Sequence, residues 1–256
     1  MFSRVYQRLK RSHLIPRVTG IYEVARDYTN FYQNDASGDR DANGQWKWID
    51  DFMQMPRPSP AVIFDVGGFD GEYSNRILKS RPDTNLHIFE PNPKSLDLLR
   101  KNVHGKNVCM VQAALSDEEG TMQLHTNSKT GATDSLIQRK VGPHAHDNGI
   151  LVPVTTVDKY AKDNDIRYLD LLKVDTEGND LAVMKGAQEM LASHRIGALN
   201  FEFGLFNTFA HNYMLDFTDY LGQFGYSVSK IMPWGIEPVT DPLRERTQHA
   251  YFVALL

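Results

Sequence analysis

Three carboxylates stand where apolar runs give way to polar turns: Asp65, Glu90 and Asp175. The first lies in Val62-Ile63-Phe64-Asp65-Val66-Gly67-Gly68-Phe69-Asp70-Gly71-Glu72-Tyr73-Ser74, a β-branched run, a glycine-rich turn and a helix start. Gly67, Gly68 and Gly71 permit a tight turn and let a ligand lie against bare backbone. Their spacing is G-G-x-x-G, not the G-x-G-x-x-G of a dinucleotide site. An acid two residues before the first glycine repels a pyrophosphate and suits a cation. S-adenosylmethionine, with an ammonium and a sulfonium, has that charge; a turn with no ligand is the alternative.

Glu90 follows about 20 residues beyond these glycines, where an acid grips the ribose hydroxyls of a nucleoside. Its carboxylate is suited to bidentate, charge-assisted bonds; alone, an acid before Pro91-Asn92-Pro93 also reads as a cap. In Leu172-Lys173-Val174-Asp175-Thr176-Glu177-Gly178-Asn179-Asp180, acids crowd the end of an apolar run. Asp175 and Glu177 are candidates to hold a cation, take a proton or orient a hydroxyl, whereas Asp180 suits a helix N-terminus. Glu202, inside Phe201-Glu202-Phe203, is an acid in an apolar run and needs a partner or a task. His211, His144 and His146 are the alternative bases, although a histidine in a polar loop is also an ordinary surface residue.

The elements that must position these groups alternate. Strands are expected over 61–66, 86–90, 108–114, 121–125, 169–174, 198–203, 226–231 and 250–255. Helices are expected over 72–80, 94–102, 157–163, 181–191 and 213–224. Repeated βα units give a parallel sheet with covered faces, and ligands of such sheets bind at the carboxyl ends of the strands. Residues 126–149 are polar and glycine-bearing, and a gap that long reads as a mobile lid or acceptor-binding loop. Before the sheet, Trp46, Trp48, Ile49, Phe52 and Met53 show a short helical pattern closed by Pro56, Pro58 and Pro60. Two regions follow: a helical and loop extension over 1–59 and an α/β domain over 60–256.

Composition bounds the rest. The chain has 256 residues, 41% hydrophobic, with net charge −4 and pI near 6.1, which argues against a nucleic-acid partner. Its single cysteine, Cys109, sits in an apolar run and reads as a buried strand thiol. No membrane-length apolar run and no apolar leader is present, so a cytoplasmic location is expected. Arg4, Arg8, Lys10, Arg11 and Arg17 make the first twenty residues basic, and 1–13 reads as an amphipathic helix. It would contact a membrane surface or an acidic glycan, or pack on its own domain or a neighbouring subunit.

Ile63 to Gly71, Phe89-Glu90-Pro91-Asn92-Pro93, Ala113-Ala114-Leu115-Ser116-Asp117 and Leu172 to Gly178, with Lys185-Gly186-Ala187, resemble the successive motifs of FkbM-family methyltransferases. The resemblance covers roughly residues 60–255. It implies a Rossmann-like class I methyltransferase fold, a mostly parallel seven-stranded sheet with helices on both faces. It also implies S-adenosylmethionine and O-methylation of a sugar, glycan or glycosylated or polyketide product. Gly68, Asp70 and Asp180 depart from the family's commoner alanine, asparagine and glutamate. The cofactor is expected at Asp65, Gly67, Gly68, Phe69, Gly71 and Ser74 of the first turn, Glu90, Pro91 and Asn92 of the second, then Ala113, Ala114 and Asp175.

A sugar hydroxyl needs a base or a metal to shed its proton. Asp175 is the first candidate, as base or as metal ligand with Glu202, with His211 as an alternative base. Converging carboxylates favour a hard cation, and Lys173 is expected to sit about 7 Å down the strand. No Asp-Asp or Asp-Asn pair of the metal-dependent kind appears, so metal-free chemistry is favoured over a divalent ion. Two rival readings are a nicotinamide-dependent oxidoreductase, opposed by the glycine spacing, and a non-catalytic binding module, opposed by the joint presence of Asp65, Glu90 and Asp175.

Overall fold

The computed structural model describes residues 19–35, 38–57, 59–127, 132–142, 144–243, 245 and 249–256. The basic helix expected over 1–13 lies outside them. Five parallel strands form the heart of the molecule: β1 (Val62–Val66), β2 (Asn85–Phe89), β3 (Val108–Val111), β7 (Leu171–Val174) and β8 (Ala198–Gly204). The antiparallel strands β9 (Ser227–Met232), β10 (Gly235–Pro238) and β11 (His249–Leu255) extend it, in the order β10-β9-β11-β8-β7-β1-β2-β3. This is the Rossmann-like sheet that the resemblance implies, with an eighth strand: the expected seven gain β10, which hairpins back on β9.

Helices cover both faces, so β1 and β7 are buried on both sides. On one face, Trp46, Ile49, Phe52 and Met53 of α2 (Gln45–Gln54) pack with Tyr73 and Ile77 of α3 (Glu72–Ser80) and Leu96 and Leu99 of α4 (Pro93–Asn102). The segment before Ala61 is therefore partly continuous with the core. The other face carries α5 (Val157–Asp163), α6 (Asp180–Lys185), α7 (Gln188–Ala192) and α8 (Met214–Gly222). The helix expected over 181–191 is two helices that part at Gly186 and Ala187, and a Cβ on Gly186 would meet the Ser116 carbonyl oxygen at 2.0 Å. The first element among the described residues is α1 (Thr19–Gln33), within the helical and loop extension expected over 1–59.

The strand expected over 108–114 divides. Its end, β4 (Ala114–Leu115), leaves the main sheet and joins β6 (Asn148–Thr155) and β5 (Gly120–Thr126) in a separate three-stranded sheet. Pro153 obscured β6, since proline argues against a strand; it is tolerated because β4 pairs β6 only at Val154 and Thr155. Cys109 is exposed rather than buried, because β3 is the sheet edge. Its Sγ lies 3.6 Å from the Tyr160 hydroxyl.

Candidate active site

The carboxyl ends of β1, β2, β7 and β8 open into a cleft of about 330 Å³, lined in part by Gly67, Gly68, Phe69, Glu90, Pro91, Ala113, Ala114, Asp175, Glu177 and Glu202. The glycine turn is dictated by protein contacts. Gly67 has φ +82° and a Cβ there would meet the Asp175 carbonyl oxygen at 1.9 Å; Gly71, at φ +85°, would strike Val103. The turn is thus locked against β7 and α4, and its backbone faces the cleft as a consequence.

Glu90 is buried at the lip. Its Oε2 accepts from Phe69 N at 3.0 Å and its Oε1 from Asn92 N at 2.9 Å. Burial pushes its pKa up to about 7, against those two bonds. Asn92 has two structural tasks: Oδ1 caps α4 by accepting from Lys94 N at 2.9 Å, and Nδ2 donates to Asp134.

Asp65 does not line the cleft. It is fully buried, accepting from Ser74 Oγ at 2.6 Å and paired with Lys173 Nζ at 2.9 Å. Lys173 also donates to the Gly67 carbonyl at 2.9 Å and lies 3.8 Å from Asp175. Of the residues expected to hold the cofactor, Asp65 and Ser74 lie outside the cleft lining and brace the glycine turn from beneath. The placing of Lys173 far from the acids is corrected, because its long stem carries the ammonium back up the strand. Burial acts to lower the Lys173 pKa, but Asp65 and Asp175 hold it above the usual lysine value.

Carboxylate oxygens of Asp175, Glu177 and Glu202 lie within 4.8 Å of one another. Each acid has a basic neighbour: Lys173, shared with Asp65, at 3.8 Å from Asp175, Arg139 Nη1 at 3.9 Å from Glu177, and His249 Nδ1 at 2.6 Å from Glu202. Burial and the Asp175 charge push Glu202 up to about 8. Burial, then Glu202 and Asp175, push Glu177 well above the carboxylate range. Asp175 goes the other way: burial acts to raise it, but Lys173 and a hydrogen bond from Glu202 hold it low. One ionised acid beside protonated neighbours resolves the like-charge conflict. The turn after β7 is fixed by Asp180, which accepts from Thr176 N at 2.9 Å and Gly178 N at 3.2 Å.

His249 reaches the site because β11 runs antiparallel to β8, so its first residues pair with the last of β8: His249 with Gly204, Tyr251 with Glu202. Burial pulls the His249 pKa down, but the Glu202 bond and the Asp175 charge outweigh it and leave it raised. Arg40 arrives from the loop before α2, pairs with Glu72 at 2.6 Å and lies over the Trp46 ring at 5.1 Å. Neither residue was marked by the sequence. His249 stands one residue before the expected strand, and Arg40 sits among turn residues.

His211 is not brought in: it is exposed, at φ +57° after the 3-10 helix Leu205–Ala210, and does not line the cleft. His144 is exposed against Phe206. His146 is spent on backbone, its Nδ1 accepting from Arg139 N at 3.1 Å and its Nε2 donating to Thr133 O at 3.0 Å. The loop over 126–149 reaches the cleft through Ala132 to Leu136. Arg139, almost fully buried, pins it by bonds to the Glu177, His144 and Thr133 carbonyls and by its place 4.1 Å over the Phe206 ring.

Residues 65–228 match the methyltransferase FkbM domain. The chain belongs to the FkbM methyltransferase family. This sets aside the nicotinamide oxidoreductase reading. The 2-O-methyltransferase NoeI of Sinorhizobium fredii is 27% identical over 153 residues, 55% of this chain and 63% of that protein. Methyltransferase 1 of Beauveria bassiana is 26% identical over 152 residues, 52% and 61%. The matches thus span about three fifths of the relatives' length. A crystal structure of methyltransferase FkbM from Methylobacillus flagellatus aligns over 91% of this chain and 60% of that one, with 13% identity and a TM-score of 0.49. Among the described residues no helix is long and apolar enough to cross a membrane.

Proposed function

We propose that this methyltransferase takes its methyl group from S-adenosylmethionine and transfers it to a hydroxyl of a sugar, glycan or glycosylated or polyketide metabolite. The observation that carries the reading is the Asp175–Glu202–His249 set at the floor of a cleft whose lip is Glu90. Glu90 fits the cofactor: both oxygens are held by backbone N–H groups, buried and on the cleft wall, as recognition of two ribose hydroxyls requires. The Gly67-Gly68 backbone and Phe69 flank it. When bound, S-adenosylmethionine supplies an electrophilic methyl on a sulfonium.

The chain's own residues manage the proton and the alignment. With Glu202 Oε1 accepting from Nδ1, the His249 ring keeps Nε2 as a lone-pair acceptor. With the cofactor bound, the acceptor oxygen would take the methyl as the carbon–sulfur bond breaks and the sulfur leaves as a neutral thioether; Nε2 would accept the hydroxyl proton, and ionised Asp175 would orient that hydroxyl and stabilise the imidazolium. Lys173 and Arg139 lie beside the acids, and Glu202 and Glu177 are pushed toward their protonated forms, which favours chemistry without a divalent ion. NoeI, named as a 2-O-methyltransferase, supports oxygen as the acceptor atom. Incubation with tritiated S-adenosylmethionine and a panel of neutral glycosides tests the reading: label in an alkali-stable ether is expected. Label confined to nitrogen or carbon acceptors would overturn it.

A further inference from the structure

Helix α1 is amphipathic and its apolar face has no partner among the described residues. Val24, Tyr28, Phe31 and Tyr32 recur at i, i+4, i+7 and i+8, one stripe of a helix, and are 70%, 68%, 79% and 65% exposed. Glu23, Arg26, Asp27 and Thr29 are on the remaining surface, with Arg26 and Asp27 paired at 2.8 Å. The helix is tied to the domain just past its end, where Asn34 Nδ2 donates to the Ile231 carbonyl at 2.9 Å. Asp35 next accepts from His249 N at 3.2 Å. The end of the helix is therefore anchored beside His249, which lines the cleft.

We propose that this stripe docks on the surface of an anionic lipid bilayer. Two observations favour lipid over another occupant. The stripe is chiefly aromatic, and tyrosine and phenylalanine settle at the level of lipid headgroups. Residues 1–22, immediately upstream, carry Arg4, Arg8, Lys10, Arg11 and Arg17 and no acid, although the whole chain is net −4. Basic residues beside a shallow apolar face are the pairing that an anionic membrane attracts. A second copy of the chain is the weaker occupant. A helix of this length presents a face of roughly 250 Å², well short of the about 800 Å² a side of a stable interface. The docking is independent of which acceptor the enzyme methylates.

The test is co-sedimentation of the full chain with extruded vesicles of phosphatidylcholine, alone or mixed with phosphatidylglycerol. Binding is expected to the mixed vesicles and to fall as salt is raised. Tyr28→Ser/Phe31→Ser should weaken it about tenfold or more, with an unchanged thermal midpoint because both side chains are exposed. Arg8→Gln/Lys10→Gln/Arg11→Gln should weaken it on mixed vesicles only. Failure to sediment with mixed vesicles would overturn the proposal, as would equal binding by the Tyr28→Ser/Phe31→Ser protein. Light scattering that shows a dimer dissolved by the same substitutions would assign the stripe to a second copy instead.

Discussion

Replacing Lys173 by methionine should destabilise the fold far more than loss of a surface ion pair. Lys173 is almost fully buried and its partner Asp65 is inaccessible. Methionine matches the stem but leaves Asp65 with Ser74 Oγ as its remaining hydrogen bond and removes the donor to the Gly67 carbonyl. Stranding one charge of a buried pair costs about 3–5 kcal/mol. For a domain of this size that lowers the melting midpoint by roughly 6–20 °C, at about 2–4 °C per kcal/mol. The pair's contribution is fully present below the unfolded lysine value of 10.5 and is lost as pH rises through the higher folded value, so neutral pH measures it whole. Urea unfolding gives the number. The double variant Asp65→Asn/Lys173→Met keeps an acceptor for Ser74 without a charge, and should recover more than half of the loss. A cost under about 1 kcal/mol, the range of an exposed pair, or a double variant as unstable as the two single losses added, would refute the argument.

Further outcomes follow from the same geometry. His249→Gln should lower kcat by about 10²–10⁴-fold with little change in S-adenosylmethionine affinity. In the parent enzyme the rising limb of activity should lie above pH 6.5, because the base must be neutral and the Glu202 bond raises its pKa; a parent profile flat across that range contradicts the role. Gly67→Ala should unfold the turn or prevent soluble expression, since its Cβ would sit 1.9 Å from a backbone oxygen; circular dichroism and solubility check this. Activity should survive EDTA and gain nothing from Mg²⁺, Mn²⁺ or Ca²⁺, whereas loss on chelation with recovery on metal addition would place an ion among Asp175, Glu177 and Glu202. Hydrogen exchange should find the 132–142 part of the loop protected around Arg139, with Arg139→Met releasing it.

The strand-ending acids were legible because each interrupts an apolar run: Glu90, Asp175 and Glu202 all reach the cleft. Asp65 carries the same signature but points beneath the turn, and sequence does not say on which side of a strand's end a side chain emerges. Lys173 was misplaced because alternation fixes the Cβ and not the end of a four-carbon stem. His249 and Arg40 were invisible for a different reason. One comes from the start of an antiparallel return strand and the other from a loop ahead of the shared motifs, and only tertiary pairing brings them in. His211 followed an acid-bearing strand in sequence, yet a 3-10 turn carries it away. Cys109 misled because an edge strand exposes apolar positions that a central one buries.

Calorimetric titration of S-adenosylmethionine into the parent protein and Glu90→Gln, at pH 6 and pH 8, tests the central claim most directly. Folded Glu90 ionises near 7 while its unfolded value is 4.5, so its charge weakens the empty fold as pH rises across that window. The cofactor's hydroxyls are then the partners the carboxylate needs. The account predicts tighter binding at pH 8 than at pH 6. It predicts a loss in Glu90→Gln of about 1.5–3 kcal/mol, roughly 10- to 150-fold, together with loss of the pH dependence. No heat with S-adenosylmethionine, or the same affinity in both proteins at both pH values, would contradict it.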